Sequence, residues 1–528
     1  MNRRAFLAGL GATYSISMLD WLRFFRRNGV PGTTKTLGIA EAAAQVVGQP
    51  RYLVYWFQEG GWDGYSMFNP VATPNDAVGS SRPVEQHTYR PKGSVPANGL
   101  YPVTTTGAIK NGHLAELGRP LLADAAVISS HHGGTFHSGS RLNYHMGSYR
   151  FSLSGKRGAD ERSVMQAFCE AYGASTLLPH ISWHNWLSDG ELAVPNYPEG
   201  TGYYEKLGPA YAHTVYGNTP AVMRQRIEAI KKSSGNGRDA EIHRFVDNLH
   251  ANFLKDKNSE TVKAFAAAVE AHKTFATGGS DIVTEQLFTD PTLRGEFGVT
   301  ANDERTQSAE VNESEARSKN SPNTNVQALM AYELMAKGVS NGFWIESRDI
   351  RGFDSHRGRR SVLDNQGQSD QKQRMDADLW KPLTAFVKRL KSTQYRATGK
   401  PLWDYTTIVL ASEMGRSLGS DKPGDAEDVC QHWNTSSVAF LGGTVKGNTQ
   451  FGAVGRESLD AVPILPNGML DPAYDPATGT LKPLATKSPD SFITGAGHVY
   501  ATALELAGIP KANQKGKNDA SPLSFVKK

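Results

Sequence analysis

Asp354 and His356, two residues apart in RGFDSHRGRR (351–360), put a carboxylate and an imidazole into one short segment. In extended backbone such a pair projects from one face, so it could grip a cation. It could equally be an acid–base pair, or part of a solvated loop among Arg351, Arg357, Arg359 and Arg360. Mixed carboxylate and imidazole donors suit Zn, Mn or Fe better than Mg or Ca. Such an ion acts as a Lewis acid and lowers the pKa of a bound water or hydroxyl; two ions roughly 3.5–4 Å apart can stabilise both attacking and leaving oxygens. Three further clusters could converge on the same spot. They are Asp63 in GGWDGY, the group His131, His132, Thr135, His137, Ser138 and Ser140 in HHGGTFHSGS, and Glu413 in SEMGR, followed nineteen residues later by His432. Each has a plainer reading: Asp63 as a loop or helix cap, Glu413 as the partner of Arg416, His432 as a ring packed beside Trp433, and 131–140 as a polar, glycine-containing loop.

Convergence requires a scaffold, and the hydrophobic pattern supplies one. Short apolar runs end in polar or glycine-rich segments at RYLVYWFQEGGWDGY (51–65), LLADAAVISS (121–130), GVSNGFWIES (338–347), YTTIVLAS (405–412) and SVAFLGG (437–443). Continuous apolar runs of this length, bounded by breakers, read as buried strands. VQALMAYELMAK and other amphipathic stretches alternate with them. The pattern predicts an α/β fold with a largely parallel central sheet and helices on both faces. In such sheets reactive groups collect outside the carboxyl ends of the strands, which is where the four clusters fall. Residues 220–275 have helical spacing and little β-branching, and read as an inserted helical subdomain. Residues 301–323 are nearly devoid of large apolar groups and read as a polar linker or loop, and 511–528 as a loosely ordered tail.

The two cysteines, Cys169 and Cys430, exclude a disulfide framework or thiolate cluster and permit at most one bridge. The net charge of +5 is concentrated at the start, where six basic residues face two acids in the first 42 and leave about +1 for the rest. A basic field for nucleic acid is therefore not expected. No later apolar run approaches the roughly 20 residues of a membrane span. MNRRAFLAGLGATYSISML resembles a twin-arginine (Tat) export signal, with small residues in IAEAAAQ suited to cleavage after Ala42 or Ala44. An uncleaved amphipathic anchor is the competing reading of WLRFFRRNG. The expected location is periplasmic or secreted, with a mature domain over 50–510.

Read in order, RRAFL, GGWDG, GFDSH, WDYTTIVLASEMGR, a His-Trp pair, AFLGGTVKGNTQFG and HVYATALELAGIP resemble the bacterial domain of unknown function family 1501. That family is related to the alkaline-phosphatase and sulfatase superfamily. The resemblance implies an alkaline-phosphatase-like fold with one or two divalent metal ions, Zn or Mn, held by Asp63, Asp354, His356, Glu413 and His432. It places the nucleophile at the start of the helix after the second strand, where Ser138 and Thr135 are the hydroxyl candidates, with Ser140 a further one, and His137 can occupy the same place. Arg141 could hold an oxyanion there. The acid–imidazole spacing is two instead of four, Met414 stands where an imidazole is usual, Asp428 is displaced from His432, and no Cys-x-Pro-x-Arg sulfatase signature is present. The implied function is metal-assisted cleavage of a phosphate or sulfate ester, on a small-molecule or polymer substrate. The alternative is a catalytically silent exported protein that keeps the fold as a binding or assembly module with an envelope protein partner.

Overall fold

The computed structural model describes residues 51–58, 60–62, 67–68, 109, 115, 117–135, 137–147, 163–172, 180–182, 212–214, 288–300, 323–347, 373, 375–395, 398–416, 432–455, 460–475, 479–514 and 518–528. Seven consecutive buried residues, Tyr52–Gln58, form strand β1 inside the sheet. A strand covered on both faces needs no polar alternation, which is why YLVYWFQ shows none. In chain order follow β2 (Ala125–His132), α1 (His137–Met146), α2 (Val164–Tyr172), β3 (His180–Ser182), β4 (Ala212–Thr214), α3 (Pro291–Phe297) and α4 (Thr324–Ala336). Then come β5 (Gly342–Glu346), α5 (Lys381–Ser392), β6 (Thr406–Ser412), β7 (Gly415–Arg416), β8 (His432–Trp433) and β9 (Thr435–Gly442). The chain closes with β10 (Thr449–Phe451), β11 (Ala453–Val454), β12 (Ala461–Val462), β13 (Thr494–Gly495) and α6 (Ala496–Leu506).

The main sheet runs β10-β2-β9-β6-β1-β5-β3-β4, with β13 alongside β2. Its described pairings are parallel except where β9 lies antiparallel between β2 and β6. The period of two along β1 divides the core. Leu53, Tyr55 and Phe57 pack with Tyr144 of α1, Phe168 of α2 and Val499 of α6. Val54 and Trp56 pack with Leu329 of α4 and Phe386 of α5 on the other face. Helices thus cover both faces, as the alternation of runs predicts. Each fully buried side chain of this size contributes about 1.5–3 kcal/mol.

All five predicted strands are present as β1, β2, β5, β6 and β9, with shifted ends. The run at 338–347 starts as strand only at Gly342, because α4 is stopped by Gly338 in the left-handed region at φ +70°. β9 reverses one expectation. Being antiparallel, it begins at the edge where its neighbours end, with Thr435 opposite His132. His432 therefore reaches that edge by preceding its strand.

The C-terminal residues differ from the expected loose tail. Leu523 and Val526 are buried in the core under α6, and Leu523 N–H donates to Thr502 Oγ1 at 2.8 Å. Lys446 N–H donates to Val526 O at 2.8 Å, and Lys528 N–H to Thr444 O at 3.0 Å. Two apolar side chains in a Lys- and Ser-rich segment suffice to dock it. Cys169 is buried on α2. Cys430, the signal-like residues 1–44, the helical region 220–275 and all of 301–323 except Asn323 lie outside the described residues. No helix among the described residues is long and apolar enough to cross a membrane.

Candidate functional site

β1 and β6 run in parallel register, with Gln58 opposite Ser412, so the chain leaves both strands at one point of the sheet edge. After β1 come Gly60 and Gly61, at φ +107° and +74°. A side chain at Gly61 would be strained there, and its Cβ would lie 2.5 Å from Met414 Cγ. SEMGR closes around this turn. Gly60 N–H donates to Glu413 Oε1 at 2.7 Å, while Arg416 donates from Nε to Gly61 O at 3.1 Å and from Nη2 to Gly60 O. Both side chains are fully buried. Ser412 Oγ donates to Gln58 O at 2.6 Å and accepts from Trp62 N–H at 3.0 Å. Trp62 Nε1 donates to Ser436 Oγ at 3.1 Å. Three side chains therefore fix the backbone immediately before Asp63, and Ser436 anchors the Trp62 ring.

SEMGR continues as β7, which pairs antiparallel with β8, placing Arg416 opposite His432 and Gly415 opposite Trp433. Two glycines allow the backbones to approach this closely. A Cβ on Gly415 would lie 1.8 Å from Thr435 O, and one on Gly133 would lie 2.7 Å from Glu413 O. The partly buried His432 ring meets the β2–α1 turn, with Nδ1 2.8 Å from Thr135 O. A carbonyl only accepts, so Nδ1 carries hydrogen and the basic nitrogen of the neutral ring is Nε2. Metal-bound imidazoles are oriented by the same kind of bond to a backbone carbonyl.

Behind this edge lies a buried polar chain. Thr494 Oγ1 donates to Ser130 O at 2.8 Å, so it accepts from His131 Nδ1 at 3.0 Å. His131 Nε2 then accepts from Tyr144 O–H at 2.6 Å. Burial, with His132 and His498 nearby, pushes the His131 imidazole down to about 3, so it stays neutral. Burial likewise raises the Tyr144 phenol, helped by the negative charge of Glu413. The chain ties α1, β2 and β13 together beneath the candidate site.

The predicted residues fare unequally. Glu413, His432 and Thr135 all lie at the carboxyl edge: His432 meets Thr135, and Glu413 stands just before β7, which pairs with the strand of His432. Ser138 and His137 lie on the first turn of α1, the helix that follows β2, and Ser140 at the end of that turn is buried. His131 belongs to the core and not to the rim. Asp63, Asp354 and His356 lie outside the described residues, as does Asp428. Among the described residues no group of three His, Cys, Asp or Glu is placed to hold a metal ion. Glu413 and His432 supply one carboxylate and one imidazole, each oriented by a hydrogen bond, which is the donor chemistry that Zn or Mn takes. Arg416 is a turn clamp that its sequence context does not reveal, because a buried arginine is recognisable only by what it faces. Ser412 and Ser436 are likewise ordinary strand residues in the sequence and acquire their roles only through their partners.

None of the curated proteins matches the chain. Among solved structures it is similar to the lipoteichoic acid synthase LtaP from Listeria monocytogenes, with 10% identity, 97% of this chain and 81% of that one covered, and a TM-score of 0.36. It is also similar to the phosphonate monoester hydrolase SpPMH from Silicibacter pomeroyi, at 11% identity with 90% and 76% covered and a TM-score of 0.35. The phosphonate monoester hydrolase of Agrobacterium radiobacter follows at 12% identity, with 90% and 77% covered and a TM-score of 0.29. The family model that matches residues 51–463 is that of the protein of unknown function DUF1501, and the chain belongs to this family.

Proposed function

We propose that the chain is an exported, metal-dependent hydrolase of a phosphate or sulfate ester on an alkaline-phosphatase-like fold. The observation that supports this reading is the meeting of three polar clusters at one sheet edge: the turn before Asp63, the segment of Glu413 with His432, and the turn of Thr135. One or two Zn or Mn ions, held by Asp63, Asp354, His356, Glu413 and His432, would supply Lewis acidity and activate a hydroxyl. The protein's own part is positional. Glu413 and Arg416 hold the turn before Asp63, and the Thr135 carbonyl sets the tautomer of His432. Thr135 and Ser138 are the hydroxyl nucleophiles in this reading, with His137 able to take their place. Residues 1–44 direct export through the Tat pathway.

The test is metal analysis of the folded protein, followed by turnover of aryl phosphates and sulfates with Asp354→Ala as control. Stoichiometric transition metal and activity lost in the variant are expected; a metal-free protein, or activity that survives the substitution, refutes the site. A second reading has its own support. Glu413 Oε1 and Arg416 are already engaged in holding the Gly60–Gly61 turn, as in a protein that keeps the fold for binding or envelope assembly. Such a protein would show no turnover under any metal.

A further inference from the structure

A pocket of about 330 Å³ opens beside the candidate site. Its walls are the end of β2 and the following turn (His132 to Thr135), Asn143 of α1, Asn434, and the Gly495–Gly497 turn into α6. Its size falls at the lower end of the roughly 300–1,000 Å³ typical of small-molecule sites, enough for one sugar ring or a small polyol. Two of the wall glycines pack closely on each other: a Cβ on Gly497 would lie 2.8 Å from Gly147 O.

The lining chemistry is uncharged. No carboxylate, ammonium or guanidinium is among the described lining residues. Burial lowers the His132 imidazole below its ordinary value against the opposing pull of Asp460, so the ring is neutral near pH 7. Asn143 is 9% exposed, and among the described residues its Oδ1 has no hydrogen-bond partner. A buried acceptor without a donor is unfavourable, and a donor supplied by a ligand relieves it. A fully ionised anion offers no such donor, whereas an alcohol hydroxyl does.

We propose that this pocket binds an uncharged, hydroxyl-bearing group, a sugar or polyol, which donates a hydroxyl to Asn143 Oδ1. Thr135 is shared by the pocket and by the His432 contact, so the bound group lies next to the proposed hydrolytic site. In that position it is the alcohol portion of the ester, an assignment that rests on the hydrolase reading; the binding itself does not.

Ligand-observed NMR on the full chain, with methyl α-D-glucopyranoside, myo-inositol and inorganic phosphate as probes, tests the proposal. At least one of the two polyols is expected to bind the native protein and Asn143→Asp, which keeps the acceptor. Binding to Asn143→Leu should weaken about tenfold, as befits one lost hydrogen bond in a buried site. Thermal melting establishes that the leucine variant is folded; Asn143→Ser replaces it otherwise. Absence of polyol binding to the native protein overturns the proposal, as does undiminished binding to a folded leucine variant. Phosphate binding alone, abolished in Asn143→Asp, overturns it in favour of an anion site. Polyol binding without ester turnover keeps the pocket and retires the hydrolase; turnover without polyol binding does the reverse.

Discussion

Glu413 and Arg416 hold the same turn through opposite chemistry, Glu413 accepting from Gly60 N–H and Arg416 donating to the Gly60 and Gly61 carbonyls, and substitution separates their roles. Glu413→Gln retains an oxygen that can accept from Gly60 N–H, so it should cost no more than about 1 kcal/mol of stability. It removes the carboxylate charge, so activity and bound metal should fall together if Glu413 is a ligand; full retention of both would assign it to the turn alone. Arg416→Met leaves the carbonyls of Gly60 and Gly61 buried without these donors and should cost about 3 kcal/mol by urea denaturation. A loss below 1 kcal/mol in that variant would show that the clamp is dispensable. The identity of Glu413 as a candidate was legible in SEMGR. Its contact with Gly60, more than three hundred residues away in sequence, was not, because it follows from the register of β1 on β6.

Between elements, the site depends on backbones that approach without side chains between them. Gly415→Ala would drive a Cβ into Thr435 O, so β7 could not keep its place against the start of β9. The expected cost is about 3 kcal/mol, the upper range for overpacking, together with loss of any activity that needs His432 held at this edge. A wild-type melting temperature in this variant would contradict the packing. The His131 chain joins α1 to β2 and β13, and it carries a pH signature. An imidazole held near 3 in the fold against 6.5 unfolded takes up its proton more readily in the unfolded chain. Stability is therefore complete above about pH 6.5 and declines as pH falls towards 3, by roughly 1 kcal/mol per pH unit. His132 and His498, also depressed by burial, add in the same direction. Denaturation midpoints measured across that window should flatten in His131→Gln; an unchanged slope would place the titration elsewhere. Strands such as β1 and β6 could be read from their apolar runs. β7, β8 and β13, two residues each, could not, since so short a piece has no period and exists only through its partner.

At the scale of the whole molecule, what the sequence conceals is how distant segments close over the core. The parallel sheet with helices on both faces follows from alternating runs, and β9 departs from it because direction leaves no mark on a buried strand's composition. The C-terminal segment is the sharper case. Its Lys- and Ser-rich composition suggests a solvated end, yet Leu523 and Val526 fill the core beneath α6 and its backbone bonds to Thr444 and Lys446. α6 in turn starts directly after its N-cap Gly495, which lies opposite His132, so the tail buttresses the helix that walls the proposed pocket. Deleting residues 522–528 should remove two buried side chains at about 1.5–3 kcal/mol each, lowering stability by about 3–6 kcal/mol. Because the loss falls on α6, polyol binding should weaken in the same truncated protein under conditions where circular dichroism still reports a folded chain. A deletion that leaves both the melting temperature and polyol binding unchanged would restore the picture of a detached tail.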